Sequence, residues 1–391
     1  MDKYEYLIVG GGMTADSAVT GIRELDQDSE ILMISADENP PYNRPPLSKA
    51  LWKDKKVDSI WRKTIEKKVN LKLGKQVISI NPDKKEVTDD INQIYGFEKL
   101  LIATGGKPRK LPFGGEDVIY YRSLSDYEKL HALSESKQNF AVIGSGFIGS
   151  EIAAALAMNG KDVLLFDIGP GIGWNIYPPE LTEYLNGYYK DKGVSVIPNV
   201  TVNNISGKSS GYEISLTNGE RFETDAVVAG VGIHPDVELA EKAGLKVSNG
   251  IVVNELLESK FDDIFAAGDV ANFYNPLLEK RIRVEHADNA NEMGKQAGRN
   301  MAGAGENYDY LPFFYSDLFD LGYEAVGQLD SRSEIVEDWH EKFQKGVLYY
   351  LEDNRVRGVL LWNVWDKLDE ARKVIGLPSP VEPSKLIGRI K

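Results

Sequence analysis

The stretch VIGSGFIGSE, residues 142–151, and the similar stretch YLIVGGGMTAD, residues 6–16, decide the fold of this chain. Each places small residues at the same spacing behind a short apolar run: Gly144, Gly146 and Gly149 in the first, Gly10, Gly12 and Ala15 in the second. In a strand–turn–helix unit, the first glycine makes a tight turn, the second admits a phosphate group and the third lets the helix pack on the strand. The sequence therefore predicts two units that can each bind a nucleotide.

One such glycine pattern alone is weak support for nucleotide binding, because tight turns use glycine for ordinary backbone reasons. Here each pattern is followed, about 20 residues later, by an acidic residue near a strand end, Asp37 for the first and Asp167 for the second. A carboxylate at that place accepts hydrogen bonds from ribose hydroxyl groups. For Asp167 the alternative is that the carboxylate only caps a loop. The shared context favours nucleotide binding at both turns.

Composition and charge exclude several classes of function. With 391 residues, two or three domains are expected. The net charge of −14 disfavours nucleic-acid binding, which needs a basic surface. No apolar run approaches the roughly 18 residues that a membrane span requires. The N-terminal stretch MDKYEYLIVG resembles a strand rather than a signal peptide, so we expect a cytoplasmic protein.

The chain has no cysteine. Disulfides, thiolate nucleophiles, dithiol relays and cysteine-based zinc sites are therefore all excluded. The histidines are far apart in the sequence, without the spacing of metal ligands, at positions 131, 234, 286 and 340. We predict no metal site.

The order of elements along the chain predicts an interrupted fold. A strand, the first glycine turn and a helix over 14–25 begin the first unit; a proline-rich loop and a charged segment expected to be helical follow. The pattern restarts near residue 120 with a helix in SLSDYEKLHALSES and the second glycine turn. The last 80 or so residues change character, with a hairpin turning at Asp353–Asn354 and a helix after it. The prediction is an α/β fold with two Rossmann-like dinucleotide-binding domains, the second inserted in the first, and a C-terminal α+β domain.

Six motifs occur in order and carry a specific resemblance: PPYNRPPLSKALW, LLIATGGKPRKLP, VIGSGFIGSE, DIFAAGDV, VEHADNA and FFYSDLFDLGYEAVG. Together they resemble the FAD-dependent pyridine nucleotide oxidoreductases of the ferredoxin/rubredoxin reductase type, and most closely the flavoproteins related to apoptosis-inducing factor. The resemblance covers essentially the whole chain. It implies an FAD-binding domain at 1–117 and 240–308, an NAD(H)-binding domain at 118–239 and a C-terminal domain at 309–391.

The resemblance also implies the residues that contact each cofactor. For FAD they are Gly10, Gly12, Met13, Thr14, Ala15, Asp37, Arg44, Lys49, Val77, Ala103, Thr104, Gly105, Arg122, Gly268, Asp269, Glu285, His286, Ala287 and Tyr315. For NADH they are Gly144, Gly146, Phe147, Ile148, Gly149, Asp167, Gly232 and Glu324. Ordinary roles compete for several of them: a helix N-cap for Asp269, a solvated surface charge for Arg44 and Lys49, and a core position for Phe147.

The same resemblance implies catalytic roles for Lys49, Glu151, Glu285, His286 and Phe147. Lys49 is expected to pair with Glu151 beside the flavin, because a cation there would stabilise the reduced ring and a carboxylate would orient it. Phe147 is expected to cover the flavin until nicotinamide displaces it. A single histidine is more often structural, so His286 depends on the family context alone.

Two features depart from the family pattern. Ala36 stands where a glutamate usually holds the adenosine ribose of FAD, and Asp37 is expected to replace it. The chain also lacks room for the regulatory insertion of animal apoptosis-inducing factor, and its net charge does not support that protein's DNA-binding surface.

The expected function is NADH-dependent electron transfer. A hydride passes from NADH to FAD, and the electrons then pass to a small redox protein, ferredoxin or rubredoxin, or to a quinone. The alternative is a slow NADH-sensing flavoprotein whose redox state controls dimerisation or partner binding. The protein is expected to be a monomer or a homodimer.

A preference for NADH over NADPH is expected from Asp167, whose carboxylate would accept hydrogen bonds from the ribose 2′-hydroxyl. The next residues, IGPGIGWN, contain no Lys or Arg that could bind the 2′-phosphate of NADPH.

Overall fold

The computed structural model describes residues 2–391, which fold into two compact units. Unit 1 contains the described residues up to Arg44 together with Val57–Lys107 and His234–Phe313. Unit 2 contains Pro45–Lys56, Pro108–Ile233 and Phe314–Lys391. Unit 1 is thus interrupted by the chain of unit 2, as expected for an inserted second fold. The predicted assignment of one cofactor to each domain, with its boundaries, stays a prediction.

The main sheet of unit 1 is parallel at its centre. Its strands run in the order Asn70–Lys72, Ile31–Ile34, Asp2–Val9 and Ile94–Ile102, and Ile264–Ala266 pairs in parallel with the last of these. An antiparallel hairpin, Glu86–Asp89 with Val77–Asn81, extends it. The central strands are apolar because both faces are covered, as is typical of parallel sheets.

Two helices of unit 1, Met13–Leu25 and Ala287–Met301, pack closely against each other. A Cβ atom on Gly298 would lie 2.0 Å from the Ala18 carbonyl oxygen, and one on Gly21 would lie 2.0 Å from the Lys295 carbonyl oxygen. Only glycine permits this approach of the two backbones. Unit 1 also contains the helix Glu238–Lys242 and a small sheet of Ile251–Val252, Ala271–Asn275 and Lys280–Ile282.

Unit 2 contains a second parallel sheet, in the order Val194–Ile197, Asp162–Phe166, Asn139–Ile143, Ala226–Ala229 and Val118–Tyr120. Its helices are Leu124–Ser136, Phe147–Met158 and Pro179–Asp191. The first of them begins with a capping box between Ser123 and Asp126. An antiparallel meander of Val202–Lys208, Gly211–Leu216 and Arg221–Thr224 follows in the chain.

The C-terminal part of unit 2 is an antiparallel sheet in the order Phe313–Leu318, Leu321–Gly327, Arg355–Trp362, Lys345–Glu352 and Glu334–Glu341, followed by the helix Leu368–Ile375. The hairpin turns at Asp353 and Asn354, both with positive φ (52° and 57°). Two positive φ values are typical of the tight hairpin turn that Asp and Asn tolerate. The predicted α+β character and the position of the hairpin are confirmed.

Two local predictions were wrong. The charged segment after Trp52 is not an α-helix but contains two 3-10 turns, Val57–Ile60 and Thr64–Lys67, because Lys63 and Lys68 adopt positive φ (56° each) and interrupt a helix. The proline-rich loop is more regular than expected, with 3-10 turns at Pro45–Ser48 and Ala50–Trp52. Proline suits the first positions of such a turn, where its missing N–H has no partner.

Two short strands, Gly106–Pro108 and Ile233–Pro235, lie where the chain passes from one unit to the other.

Candidate functional site

The first glycine turn, in unit 1, has the form that a dinucleotide requires. Gly10 has φ +127°, and a Cβ there would lie 2.2 Å from the Ala103 carbonyl oxygen, so the turn needs glycine. Gly12 is the N-cap of the helix Met13–Leu25, no side chain caps it, and a Cβ there would meet nothing within 4 Å. Ala15 is fully buried against the core. The turn leaves open space in front of uncapped helix N–H groups, which favour an anion.

Gly268 and Asp269 lie beside this turn. A Cβ on Gly268 would lie 2.3 Å from the Thr14 hydroxyl, so the two segments touch. Asp269 lies inside the 3-10 turn Gly268–Val270, whose N-cap is Ala267. The helix N-cap role that competed for Asp269 in the sequence therefore belongs to another residue. Met13, at the start of the helix, accepts a hydrogen bond through its sulfur from the Arg44 backbone N–H at 3.5 Å.

Asp37 holds its own loop together. Its Oδ1 accepts hydrogen bonds from the backbone N–H and the side-chain amide of Asn39, and its Oδ2 accepts one from the Tyr42 hydroxyl at 3.2 Å. The neighbouring Ala36 is exposed. The replacement of the missing ribose-binding glutamate by Asp37 stays a prediction, and the carboxylate already has local partners.

His286 and Glu285 precede the helix that begins at Ala287. Burial lowers the pKa of His286 to about 4, although the charge of Asp269 acts in the opposite direction. His286 is therefore neutral near pH 7. Glu285 forms an ion pair with Arg283 at 2.6 Å, and Arg283 also donates to the Asp269 carbonyl oxygen at 3.1 Å. Arg283 thus links two residues that the sequence predicted as flavin contacts.

The other predicted flavin residues of unit 1 are in the sheet or at its carboxyl end. Val77 begins the strand Val77–Asn81 and is buried. Ala103 donates its N–H to the Val9 carbonyl oxygen, which places it beside the glycine turn. Thr104 donates its hydroxyl to the Asp236 carbonyl oxygen at 2.8 Å, and Gly105 has φ +69°. Ligands of open parallel sheets bind at the carboxyl ends of the strands.

The second glycine turn, in unit 2, repeats the first. Gly144 has φ +93°, and a Cβ there would lie 2.7 Å from the Gly230 carbonyl oxygen. Gly146 is the uncapped N-cap of the helix Phe147–Met158, and a Cβ there would meet nothing within 4 Å. A Cβ on Gly149 would lie 1.8 Å from the Gly144 carbonyl oxygen. The three glycines therefore differ in their surroundings, since Gly144 makes the turn, Gly146 faces open space and Gly149 packs closely, while the binding of a phosphate group at Gly146 stays a prediction.

Asp167 follows the strand Asp162–Phe166 and is 7% exposed. Its Oδ2 accepts hydrogen bonds from the backbone N–H of Ser145 at 2.6 Å and from the Ser145 hydroxyl at 2.7 Å. Its Oδ1 accepts one from the Gly169 N–H at 2.7 Å. The loop-capping role that the sequence left as an alternative is thus present, and binding of a ribose stays a prediction.

Lys49 and Glu151 form the predicted ion pair. The Lys49 Nζ lies 2.5 Å from Glu151 Oε1, and the Glu151 side chain is almost fully buried. Glu151 also accepts hydrogen bonds from Ser48 (Oγ–Oε2, 2.6 Å) and Ser316 (Oγ–Oε1, 2.6 Å). The Lys49 Nζ lies 5.0 Å from the centroid of the Tyr315 ring. We call Lys49, Glu151, Ser48, Ser316 and Tyr315 the lysine cluster.

This cluster holds one cation in a fixed place. A buried carboxylate needs both a counter-ion and hydrogen bonds to offset its desolvation, and Glu151 has one counter-ion and two hydroxyl donors. The ammonium of Lys49 is restrained by the carboxylate on one side and by an aromatic face on the other. Phe147 lies at the start of its helix and makes an edge contact with Phe314, with ring centroids 5.6 Å apart.

The remaining predicted residues of unit 2 are placed as follows. The Arg122 backbone N–H donates to Asp126 at 3.0 Å, Ile148 is exposed, and Gly232 has φ +90° and accepts from the Arg109 N–H. Burial raises the pKa of Glu324, and the charge of Asp366 adds to this effect. The Glu324 Oε2 is buried and has no hydrogen-bond partner among residues 2–391. That unpaired oxygen is an acceptor available to a ligand.

Sequence reasoning missed two sets of partners. Ser48 and Ser316 lie 103 and 165 residues from Glu151, and a serine beside a key residue carries no signal of its own. In unit 1, Asp16 is buried and accepts hydrogen bonds from Arg62, Thr64 and Lys67 at 2.6–2.8 Å. The acidic residue in the first turn of a helix was the available signal for the second set.

Two kinds of feature are absent from the part of the chain that the structure describes. Residues 2–391 contain no group of His, Asp and Glu side chains arranged to hold a metal ion. In the same range, no helix has both the length and the apolar character needed to cross a membrane.

Comparison with known proteins agrees with this geometry. The family model for pyridine nucleotide-disulphide oxidoreductases matches residues 4–294, and that for the C-terminal domain of mitochondrion-associated apoptosis-inducing factor matches 333–376. The mitochondrial apoptosis-inducing factor 1 of Dictyostelium discoideum is 33% identical, over 96% of this chain and 79% of that protein. The ferredoxin–NAD(+) reductase component of the anthranilate 1,2-dioxygenase system of Burkholderia cepacia is 30% identical, over 99% and 97%.

Among solved structures, the covalent putidaredoxin reductase–putidaredoxin complex matches with a TM-score of 0.91 and 28% identity, over 98% of this chain and 95% of that chain. The residues present also fit the two nucleotides: both glycine turns leave open space before an uncapped helix, and Glu324 offers an unpaired acceptor. The chain belongs to the pyridine nucleotide-disulphide oxidoreductase family, and it is an FAD- and NAD(H)-dependent oxidoreductase.

Proposed function

We propose that this chain is an NADH-dependent reductase of a small ferredoxin-type redox protein. The observation that carries the proposal is the complete absence of cysteine in a member of this family. Without a thiol pair, the chain has no dithiol of its own to receive electrons. Electrons that enter the cofactor from NADH must then leave directly for an external acceptor.

In the proposal, each glycine turn binds one of the two nucleotides. In the proposal, the turn at Gly10–Ala15 together with Asp269 holds FAD, and the turn at Gly144–Gly149 holds NADH. Bound FAD supplies the redox chemistry, since it accepts two electrons as a hydride and can release them singly. The helix N-termini at Gly12 and Gly146 supply N–H donors for the phosphate groups.

The lysine cluster supplies a fixed positive charge. In the proposal, the Lys49 ammonium would contact bound flavin and would stabilise the negative charge that the ring gains on reduction. Because Glu151 and the Tyr315 ring already restrain the ammonium, little reorganisation is needed at the moment of reaction. His286, neutral near pH 7, adds no positive charge of its own.

The relatives support a ferredoxin-type partner. The relative from Burkholderia cepacia is a ferredoxin–NAD(+) reductase component, and the solved structure contains a reductase joined to putidaredoxin. Both matches span almost the whole of this chain and almost the whole of those proteins. Rubredoxin, quinone, a monomeric or dimeric state and a cytoplasmic location stay predictions from the sequence.

Steady-state kinetics with several acceptors test the proposal. We expect NADH oxidation with a [2Fe–2S] ferredoxin at a kcat of at least about 1 s⁻¹, the lower end for typical enzymes. Rubredoxin and a soluble quinone are the comparison acceptors, and ferricyanide is the control that measures cofactor reduction whatever the natural acceptor. Fast ferricyanide reduction with no transfer to any ferredoxin would contradict the proposed acceptor while leaving the cofactors in place.

One observation favours a second candidate function. Residues 333–376 match the C-terminal domain of apoptosis-inducing factor, and the relative from Dictyostelium discoideum is itself an apoptosis-inducing factor. An NADH-sensing role predicts slow turnover with every acceptor, a long-lived reduced state and a change of oligomer on reduction. Light scattering of the oxidised and NADH-reduced protein, beside the kinetics, separates the two functions.

A further inference from the structure

An exposed tryptophan lies on the loop that follows Asp167. Trp174 is 39% exposed, so part of its indole ring is open to solvent. It lies in the connection between the strand Asp162–Phe166 and the helix Pro179–Asp191, at the carboxyl end of the parallel sheet of unit 2. This is the edge at which open α/β sheets bind their ligands.

The Trp174 ring has a fixed platform. An ideal Cβ on Gly169 would lie 2.3–2.5 Å from three atoms of the indole, Cε2, Nε1 and Cδ2, so the ring lies directly on Gly169 and leaves no room for a side chain. Gly169 in turn donates its N–H to the Asp167 carboxylate at 2.7 Å. Gly169 therefore contacts both the indole ring and the predicted ribose-binding carboxylate of Asp167.

The loop is anchored independently of the ring. Ser145, in the second glycine turn, donates its hydroxyl to the Gly171 carbonyl oxygen at 2.8 Å, and its backbone carbonyl oxygen accepts from the Gly173 N–H at 3.2 Å. Asn186 donates to the Pro170 carbonyl oxygen at 2.8 Å and accepts from the Ile172 N–H at 3.1 Å. These bonds do not involve the indole, so its removal leaves the backbone of the loop in place.

We propose that Trp174 stacks on the adenine of NADH and is the main apolar contact of the adenosine half of the dinucleotide. The inference rests on the proposed binding of NADH at the second glycine turn. Adenosine has a flat apolar base and a polar ribose, and this edge offers a flat aromatic face beside a carboxylate. Base–aromatic stacking tolerates an exposed ring and contributes substantially to affinity.

The test uses a ligand that contains the adenosine half without nicotinamide. Binding of ADP-ribose to the flavin-loaded protein is measured by calorimetry for the wild type, Trp174→Ala and Trp174→Phe. We expect the Kd to rise about tenfold or more in Trp174→Ala, the loss typical of one base–aromatic stack, and to rise much less in Trp174→Phe, which keeps an aromatic face. The quenching of tryptophan emission by ADP-ribose should also be smaller in Trp174→Phe than in the wild type.

A second substrate separates stacking from general damage. Reduced nicotinamide mononucleotide lacks adenosine, so its kcat/KM should be unchanged in Trp174→Ala, while kcat/KM for NADH falls. An equal Kd for ADP-ribose in wild type and Trp174→Ala would overturn the stacking role. Equal losses with both substrates would also overturn it, because they would mean that the loop has been disturbed.

If the second glycine turn does not bind NADH, the same experiments give a different result. If the wild type neither bound ADP-ribose nor was reduced by NADH, the nucleotide assignment of the second glycine turn would be wrong, and the role of Trp174 with it. If the wild type did both and Trp174→Ala behaved like it, only the role of Trp174 would be lost.

Discussion

At the scale of single residues, Lys49 is the side chain with the most specific proposed chemical role. Its ammonium is fixed by a buried carboxylate and an aromatic ring. We expect Lys49→Ala to slow single-turnover reduction of the flavin by NADH on the order of a hundredfold, as for loss of one preorganised electrostatic contact in an active site. Stopped-flow absorbance at the flavin band measures this.

Two variants make the result interpretable. Lys49→Arg keeps the charge and should retain more of the rate than Lys49→Ala. Lys55→Ala removes an exposed lysine of the same segment and should leave the rate unchanged. An unaltered reduction rate in Lys49→Ala would remove the residue from the flavin's surroundings, even though its ion pair with Glu151 is present.

Asp167 is predicted to set a preference for NADH over NADPH. A carboxylate that meets the ribose 2′-hydroxyl repels the 2′-phosphate of NADPH, and loss of one charge-assisted hydrogen bond costs about 1.5–3 kcal/mol, so we expect discrimination of at least about tenfold. The measurement is kcat/KM for both donors in wild type, Asp167→Ala and Ser145→Ala. Ser145→Ala removes one partner of the loop and keeps the carboxylate, so it should keep the preference. A ratio unmoved by Asp167→Ala would leave Asp167 only its loop-capping role.

His286 gives a pH dependence whose sign is fixed by its lowered pKa. In the unfolded chain its pKa is near 6.5, and in the fold it is about 4 because burial disfavours the charge. Below pH 6.5 the unfolded state therefore binds a proton that the folded state does not. The contribution to stability is complete above pH 6.5 and is lost as the pH falls towards 4.

Urea unfolding of the flavin-free protein at pH 7 and pH 5 measures this effect. Between these pH values His286 should lower the free energy of unfolding by roughly 2 kcal/mol. His286→Gln cannot be protonated, so its stability should fall less over the same interval. The same loss in both proteins would mean that His286 is protonated as readily in the fold as in the unfolded chain.

At the scale of elements, the second glycine turn contains one glycine that is expected to affect NADH binding and another that is expected to affect stability. A Cβ on Gly146 meets nothing, whereas a Cβ on Gly149 would lie 1.8 Å from the Gly144 carbonyl oxygen. We expect Gly146→Ala to keep its thermal stability and to bind NADH about tenfold more weakly, since the methyl occupies the approach of the phosphates. Gly149→Ala should be destabilised by about 1–3 kcal/mol through overpacking.

Thermal unfolding and NADH titration of the two variants check this contrast. Equal melting temperatures for Gly146→Ala and Gly149→Ala, or unchanged NADH affinity in Gly146→Ala, would contradict the roles given to the two glycines.

Local structure with a sequence pattern of its own could be predicted, whereas contacts between distant parts of the chain could not. Glycine spacing behind an apolar run predicted both turns, because the positive φ and the close backbone contacts at Gly10 and Gly144 exclude other residues. Proximity in space without local pattern could not be predicted: Ser48 and Ser316 reach Glu151 from distant parts of the chain. The charged segment after Trp52 was expected to be helical, but Lys63 and Lys68 adopt positive φ values that interrupt a helix.

At the scale of the whole molecule, the absence of cysteine and the two nucleotide turns together support electron transfer from NADH to an external acceptor. The interrupted order of unit 1 was predictable, because the second glycine turn and its strand restart a complete pattern within the first. The resemblance of six ordered motifs predicted the pair Lys49–Glu151, which composition and periodicity alone could not. The acceptor was the least predictable part, since docking surfaces carry no linear motif.

Electrons are expected to pass from NADH through bound FAD to an external one-electron acceptor, without a thiol. One anaerobic double-mixing stopped-flow experiment tests it directly. We expect a yellow protein with one FAD per chain. Its flavin absorbance should be lost on mixing with one equivalent of NADH and should recover on mixing with oxidised ferredoxin, both at rates above the steady-state kcat. A protein that takes up no FAD, or a reduced flavin that ferredoxin does not reoxidise, would contradict it.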